Sequence, residues 1–235
     1  MDYPSPPAAT SSWAPTTRVG TSWCGVAYGA RISLIVGVVA TLLEVVIGTV
    51  LGLAAGYFGK VDDTVIARVI DIVLSIPFLL FAISLVSISH PSLTIVIVVI
   101  GIFGWAAVAR VVRGQVLSLR EKEYIEAARA LGAGPWRIMF IDILPNIVAP
   151  IIVYASLLIP VTIVIEASLS YLGVGVPPPT ADWGTMISGA QQVYQQAWWY
   201  LLFPSAALLI TTVAFNIFGD GLRDALDPRA EQIYK

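Results

Sequence analysis

The fold class this 235-residue sequence predicts is an all-α, polytopic membrane protein, and three observations predict it. Hydrophobic residues make up 57% of the chain and charged residues only 12%, with a mean hydropathy of +0.85, a balance that a water-soluble domain does not carry. Five segments reach the roughly 20 residues needed to cross ~30 Å of hydrocarbon. None of them alternates with period two as a barrel strand would. A helix, which satisfies its own backbone hydrogen bonds in lipid, is then the structure left.

Taken in order, the first 31 residues carry Pro4, Pro6, Pro7 and Pro15 among scattered Ser and Thr, and no apolar period. They read as a flexible tail, with 1–27 as a divergent segment ahead of a membrane domain over 28–229; 230–235 read as a C-terminal tail. No basic leader followed by a short apolar stretch is visible, so the first span is expected to act as its own insertion signal. The expected spans are 32–58, 71–89, 92–109, 147–165 and 197–219. In the first, Gly48, Gly52 and Gly56 recur every four residues and leave a smooth groove for a neighbouring helix. Glu44, near its middle, is a costly carboxylate that faces protein or water, either on a transport path or paired at a helix interface. Arg68 and Asp71, three residues apart, are placed to pair with each other. Pro150 and Pro160 predict bends in the fourth span.

Charge sets the orientation. Eleven of the thirteen Lys and Arg residues lie in three places, 60–68, 110–137 and 223–235, all on one side if the five segments span. The opposite loops, His90-Pro91 and 167–196, have none. By the positive-inside rule the loop 114–146 and the C-terminus are cytoplasmic.

That central loop is charged, helix-forming and flanked by apolar spans. Ser118 followed by Glu121 matches a capping box, which predicts a helix from about Leu119 to Leu131. Gly132 supplies a left-handed stop, and Pro135 suits the first turn of a second helix running toward Pro145. The expected product is a helix-turn-helix at the membrane surface. On its first helix Tyr124, Ala127, Ala128 and Leu131 share a face that is small in the middle and apolar at both ends, rimmed by Arg120, Lys122, Glu123 and Arg129. Such a face suits docking into a groove on another protein; the alternative is an amphipathic helix resting on headgroups.

Enzymatic chemistry is not expected. A nucleotide-binding Gly-x-x-x-x-Gly-Lys-Ser/Thr is absent, because Gly59-Lys60 is preceded by Ala54 at the required glycine and followed by Val61. A lone His90 and a lone Cys24 build neither a metal site nor an intrachain disulfide, and no catalytic constellation stands out. No basic cluster suggests nucleic acid.

Several stretches together resemble the permease subunits of ABC importers, and specifically the second permease type of the dipeptide, oligopeptide and nickel group. They are Tyr28 to Ser33, Glu123 to Ala133, Ile143-Leu144-Pro145-Asn146, Glu166 to Gly173, Pro177-Pro178, Asp182-Trp183-Gly184 and Gly219 to Asp224. The resemblance covers roughly residues 28–229. It implies half of a heterodimeric pore, coupled to two ATPase subunits that bind ATP and Mg and fed by an extracytoplasmic substrate-binding protein, in a bacterial or archaeal cell membrane. It implies an ATPase-coupling role for Tyr124, Glu126, Ala127, Ala128, Leu131, Gly132 and Pro145. It also makes Glu166, Ser168, Ser170 and Tyr171 candidates for lining the translocation path, set against ordinary capping and interfacial anchoring by Tyr171, Trp183, Trp198 and Trp199. The chain itself is expected to hold no cofactor or metal. Two departures from the family pattern stand out: its usual first helix is not visible before Tyr28, and Asp142 occupies a position where an apolar residue is usual. A secondary transporter using Glu44, Asp71 and Glu166, or a remnant permease that assembles without conducting, are the alternative readings.

Overall fold

The computed structural model describes residues 19–88, 92–177 and 180–226, and every regular element among them is helical. Helix α1 covers Val19–Phe58 and so begins inside the expected tail. The last proline before it is Pro15, and once past that breaker the chain has a reason to stay helical: the Trp183 indole Nε1 donates to the carbonyl of Val26 at 3.0 Å, docking a later element against its first turns. The remainder of the expected N-terminal tail, 1–18, and the expected C-terminal tail, 230–235, lie outside the described residues.

The second expected span, 71–89, is two helices instead of one. Helix α2, Lys60–Ser75, and α3, Phe78–Ile88, meet at an 81° bend. Pro77 forces Ile76 into an extended conformation (φ −80°, ψ 126°), which ends α2 one residue earlier. Helix α4, Leu93–Leu119, is the third span, capped by Ser92, whose Oγ accepts from the Ile95 amide at 3.2 Å. A short helix α5, Glu123–Ala130, follows. Then α6, Pro135–Arg137, a π-helical stretch, Ile138–Ile143, and α7, Leu144–Tyr171, form one continuous rod that runs unbroken through Pro145, Pro150 and Pro160. The widened π turn lies where the Pro145 ring would meet a carbonyl one turn back, which is why Pro145 does not end the second loop helix as its sequence suggested. Helix α8, Trp183–Ala190, and α9, Trp199–Leu226, complete the chain. Among the described residues four helices are long and apolar enough to cross a membrane, and the bent α2–α3 pair brings the number to five if it counts as one span.

Helices α1 and α4 form the most extensive contact. A Cβ added at Gly48, Gly52 or Gly56 would come within 2.5, 2.7 or 2.6 Å of the Cβ of Val108, Val112 or Val116. A row of absent side chains on α1 thus receives a row of valines on α4 with the same four-residue spacing. In lipid, where apolar burial drives little association, close backbone approach of this kind is the main source of cohesion. Asp71 does not pair with Arg68; it accepts from Arg110 Nη2 at 2.6 Å, tying α2 to α4. The partner that Asp71 takes lies on the neighbouring helix, where the exposed ends of Arg110 and Asp71 meet. Helix α7 packs on α1, where Thr41 Oγ1 donates to Thr162 Oγ1 at 3.1 Å, and on α9, where Gly219 meets Leu157 and Ser156. The outer flank of α9 (Leu209, Ile210, Ile217, Phe218) is left exposed.

Candidate functional site

The loop between α4 and α7 is built as helix, turn, helix and packs against the bundle through Ile125. Its first helix does not start at a Ser118 capping box, because α4 continues through Ser118 to Leu119 while burying Val116 against Gly56. It starts at Glu123 after an extended Lys122 that makes no side-chain cap. The turn that ends it is closed by two backbone hydrogen bonds: the Gly132 amide donates to the Arg129 carbonyl at 2.9 Å, and the Ala133 amide to the Ala128 carbonyl at 3.0 Å. This is a Schellman closure, and it needs the left-handed φ of +83° found at Gly132. Gly134 and Pro135 then open α6 with Pro135 in its first turn.

Each predicted coupling residue has a definite place on this frame. Tyr124 (46% exposed), Ala127 and Leu131 (89% exposed) point outward, at helical positions i, i+3 and i+7. Glu126 and Gly132 are exposed beside them, and Pro145 is exposed at the start of α7. Ala128 is half-buried and turns the other way, into the cluster formed by Ile125, Ile138, Ile143, Ile147 and Leu53. Trp136, stacked on Phe140 with ring centroids 5.8 Å apart, extends the exposed apolar surface beyond the turn. Ile125, the fully buried anchor of α5, was not singled out in the sequence; an isoleucine two residues before two alanines is one apolar residue among many there.

A second polar centre sits at the other end of the bundle. Glu166 is fully buried, and its carboxylate accepts from Ser33 Oγ on α1 at 2.9 Å and from Ser170 Oγ one turn later at 3.0 Å. Asp182 caps α8: its Oδ1 accepts from the Thr185 amide at 2.9 Å and its own amide donates to Thr185 Oγ1 at 3.4 Å, a full capping box. Burial pushes the Asp182 carboxyl above its ordinary value, partly offset by hydrogen bonds from Thr185, Ser170 and Gly184. Ser170 therefore bridges Glu166 on α7 and the start of α8. Gly184 permits the approach, since a Cβ there would lie 2.7 Å from the Ser170 Cβ. Trp183 is buried against α1 and does not anchor the chain at the membrane boundary. Of the four path candidates, Glu166 and Ser170 are buried in this cluster, Ser168 is half-buried and Tyr171 is exposed. Helix α7 ends just beyond them in a second Schellman turn at Gly173, φ +84°.

Residues 48–232 match the family model described as the binding-protein-dependent transport system inner membrane component. The chain is 46% identical over 204 residues to a dipeptide transport system permease protein of Alkalihalophilus pseudofirmus, covering 87% of this chain and 67% of that one. It is 41% identical over 229 residues to the dipeptide transport system permease protein of Bacillus subtilis, covering 95% and 70%. With the glutathione transport system permease protein of Pectobacterium atrosepticum it shares 44% identity over 201 residues, covering 86% and 67%. Among solved structures, it superimposes on a chain of the MetNI methionine ABC transporter in an inward-facing conformation with a TM-score of 0.74 at 20% identity, covering 89% of this chain and 99% of that one, a likeness of fold. With a matched model over most of its length, exposed helix-turn-helix included, the chain is a multi-pass membrane protein belonging to the family of binding-protein-dependent transport system inner membrane components.

Proposed function

We propose that this chain forms half of the translocation pore of an ATP-driven importer of small peptides, with α5 as its coupling helix. The observation that carries the reading is the face made by Tyr124, Ala127 and Leu131, apolar and exposed on a short helix whose other side is locked to the bundle through Ile125. A solvated loop has no reason to present such a face; a groove on a moving partner gives it one. The segregation of basic residues supports a cytoplasmic position for residues 114–146 and for the C-terminus. ATP and Mg belong, on this reading, to two ATPase subunits, one of which takes up α5 and the α5–α6 turn, with Glu126, Ala128, Gly132 and Pro145 shaping the element.

Peptides are the substrate class favoured by the relatives, two named for dipeptide and one for glutathione transport. A second, different permease and an extracytoplasmic binding protein complete the assembly. At the outer end, Ser168 and Tyr171 would border the path, and Glu166 with Ser170 would hold the helix beneath them. The experiment is purification of the tagged chain from its native membrane in mild detergent, with its companions identified by mass spectrometry. Recovery of two ATPase subunits and a second permease is expected. A chain that comes out alone would sink the importer reading and favour the secondary transporter.

A further inference from the structure

Eight residues make a helix of about 12 Å, too short to keep its own orientation while a partner pulls on it. Helix α5 is held from within by Ile125 and, one turn along the same face, by Arg129, whose guanidinium carbon lies 5.4 Å from the centre of the Tyr57 ring. Tyr57 is the penultimate residue of α1, and the same corner is closed a second time: Arg120, between α4 and α5, donates from Nη1 to the Gly56 carbonyl at 3.0 Å. Gly59 completes it with a left-handed φ of +62°; a Cβ there would lie 2.7 Å from that Arg120 nitrogen. Glu126, Arg129, Tyr57 and Arg120 line a cavity of about 490 Å³ at this corner, so the contact spans open space and is not enforced by close packing. Above it, α1 and α4 are interlocked along Gly48, Gly52 and Gly56.

We propose that Arg129 and Tyr57 are positioning residues, a cation–π clamp that passes the motion of α5 into the interlocked α1–α4 pair in parallel with the direct route through the π-helical stretch into α7. The proposal rests on the coupling role of α5. Without the clamp, α5 still docks on its ATPase and still follows it, but rolls about Ile125 and leaves α1 behind.

The test uses the complete importer in proteoliposomes with its binding protein, reading ATP hydrolysed and labelled alanyl-alanine imported in the same vesicles. Tyr57→Leu is expected to assemble normally and keep binding-protein-stimulated ATP hydrolysis, while import per ATP falls about three- to tenfold, the scale of one cation–π contact. Tyr57→Phe, which keeps the ring, should hold the wild-type ratio. A merely structural role would lower assembly and hydrolysis together and leave the ratio unmoved, and that result overturns the clamp. So does a Tyr57→Phe protein that behaves like Tyr57→Leu. A wild-type complex with no ATP-dependent import would instead overturn the functional reading on which the clamp depends.

Discussion

Glu44 and Gly104 occupy one another's space: a Cβ on Gly104 of α4 would fall on the carboxyl group of Glu44 of α1. The carboxylate that the sequence placed in mid-membrane is thus buried between helices, at 3% exposure, and its room is made by a missing side chain on the neighbour. A double-mutant cycle reads this directly. Gly104→Ala alone should destabilise the protein, whereas adding Glu44→Ala should recover much of the loss, giving a coupling energy of ~1–2 kcal/mol. Thermal midpoints in detergent for the four proteins check it, and simple additivity would refute the shared space.

At Gly132 no atom lies within 4 Å of where a Cβ would stand, so only backbone conformation opposes substitution. Stability of the α5–α6 turn should fall in the order Gly, Asn, Ala, Val, with a loss of about 1–2 kcal/mol at Ala. Hydrogen exchange of the Gly132 and Ala133 amides reports it. Import per ATP should follow the same order if α5 couples as proposed; equal protection in Gly132→Val and wild type would remove the argument.

Asp182 predicts a pH effect at the α8 cap. Its carboxyl is raised above the ordinary 3.8 by burial, so between that value and its folded value the folded protein binds the extra proton. The contribution of Asp182 to stability is then fully present below 3.8 and is lost as pH rises through the window above it. Thermal midpoints against pH should slope downward there in the wild type. Asp182→Asn, which still accepts from the Thr185 amide, should flatten the slope; an unchanged slope would assign it to another group.

Asp142 has a buried Oδ2 with no hydrogen-bond partner among the described residues. An acceptor left in that state costs about 1–3 kcal/mol, so Asp142→Leu should raise the thermal midpoint. A lowered midpoint would show that the carboxylate has a partner in the assembled complex.

What the sequence disclosed was periodic or local. The four-residue glycine repeat announced a close approach, and the structure supplies Val108, Val112 and Val116 as the other side. The left-handed stop at Gly132 was legible because a single residue type fits it. What stayed hidden depended on distant partners. Asp71 sits three residues from Arg68 yet binds Arg110, since sequence spacing shows which charges can meet on one helix and says nothing about a better-placed cation on the next. Ser118 and Glu121 spell a helix start, but tertiary burial of Val116 carries α4 through it. The Ser33–Glu166–Ser170 cluster joins residues 133 positions apart, so Glu166 and Ser170 were legible as candidates for lining a path while their partner Ser33 was not.

The π-helical stretch at Ile138–Ile143 makes the chain unusually tolerant of a change in length at one place. A widened turn holds about one residue more than an α-helical turn, so deleting a single residue inside it would let the rod relax into ordinary α geometry without a break. The extra residue is absorbed within that turn, so Trp136 and the α5–α6 turn on its N-terminal side would keep their setting around the axis of α7. The same one-codon loss farther along α7, in plain α-helix, would turn everything before it by about 100° and re-aim the whole loop while leaving the rest of the bundle folded.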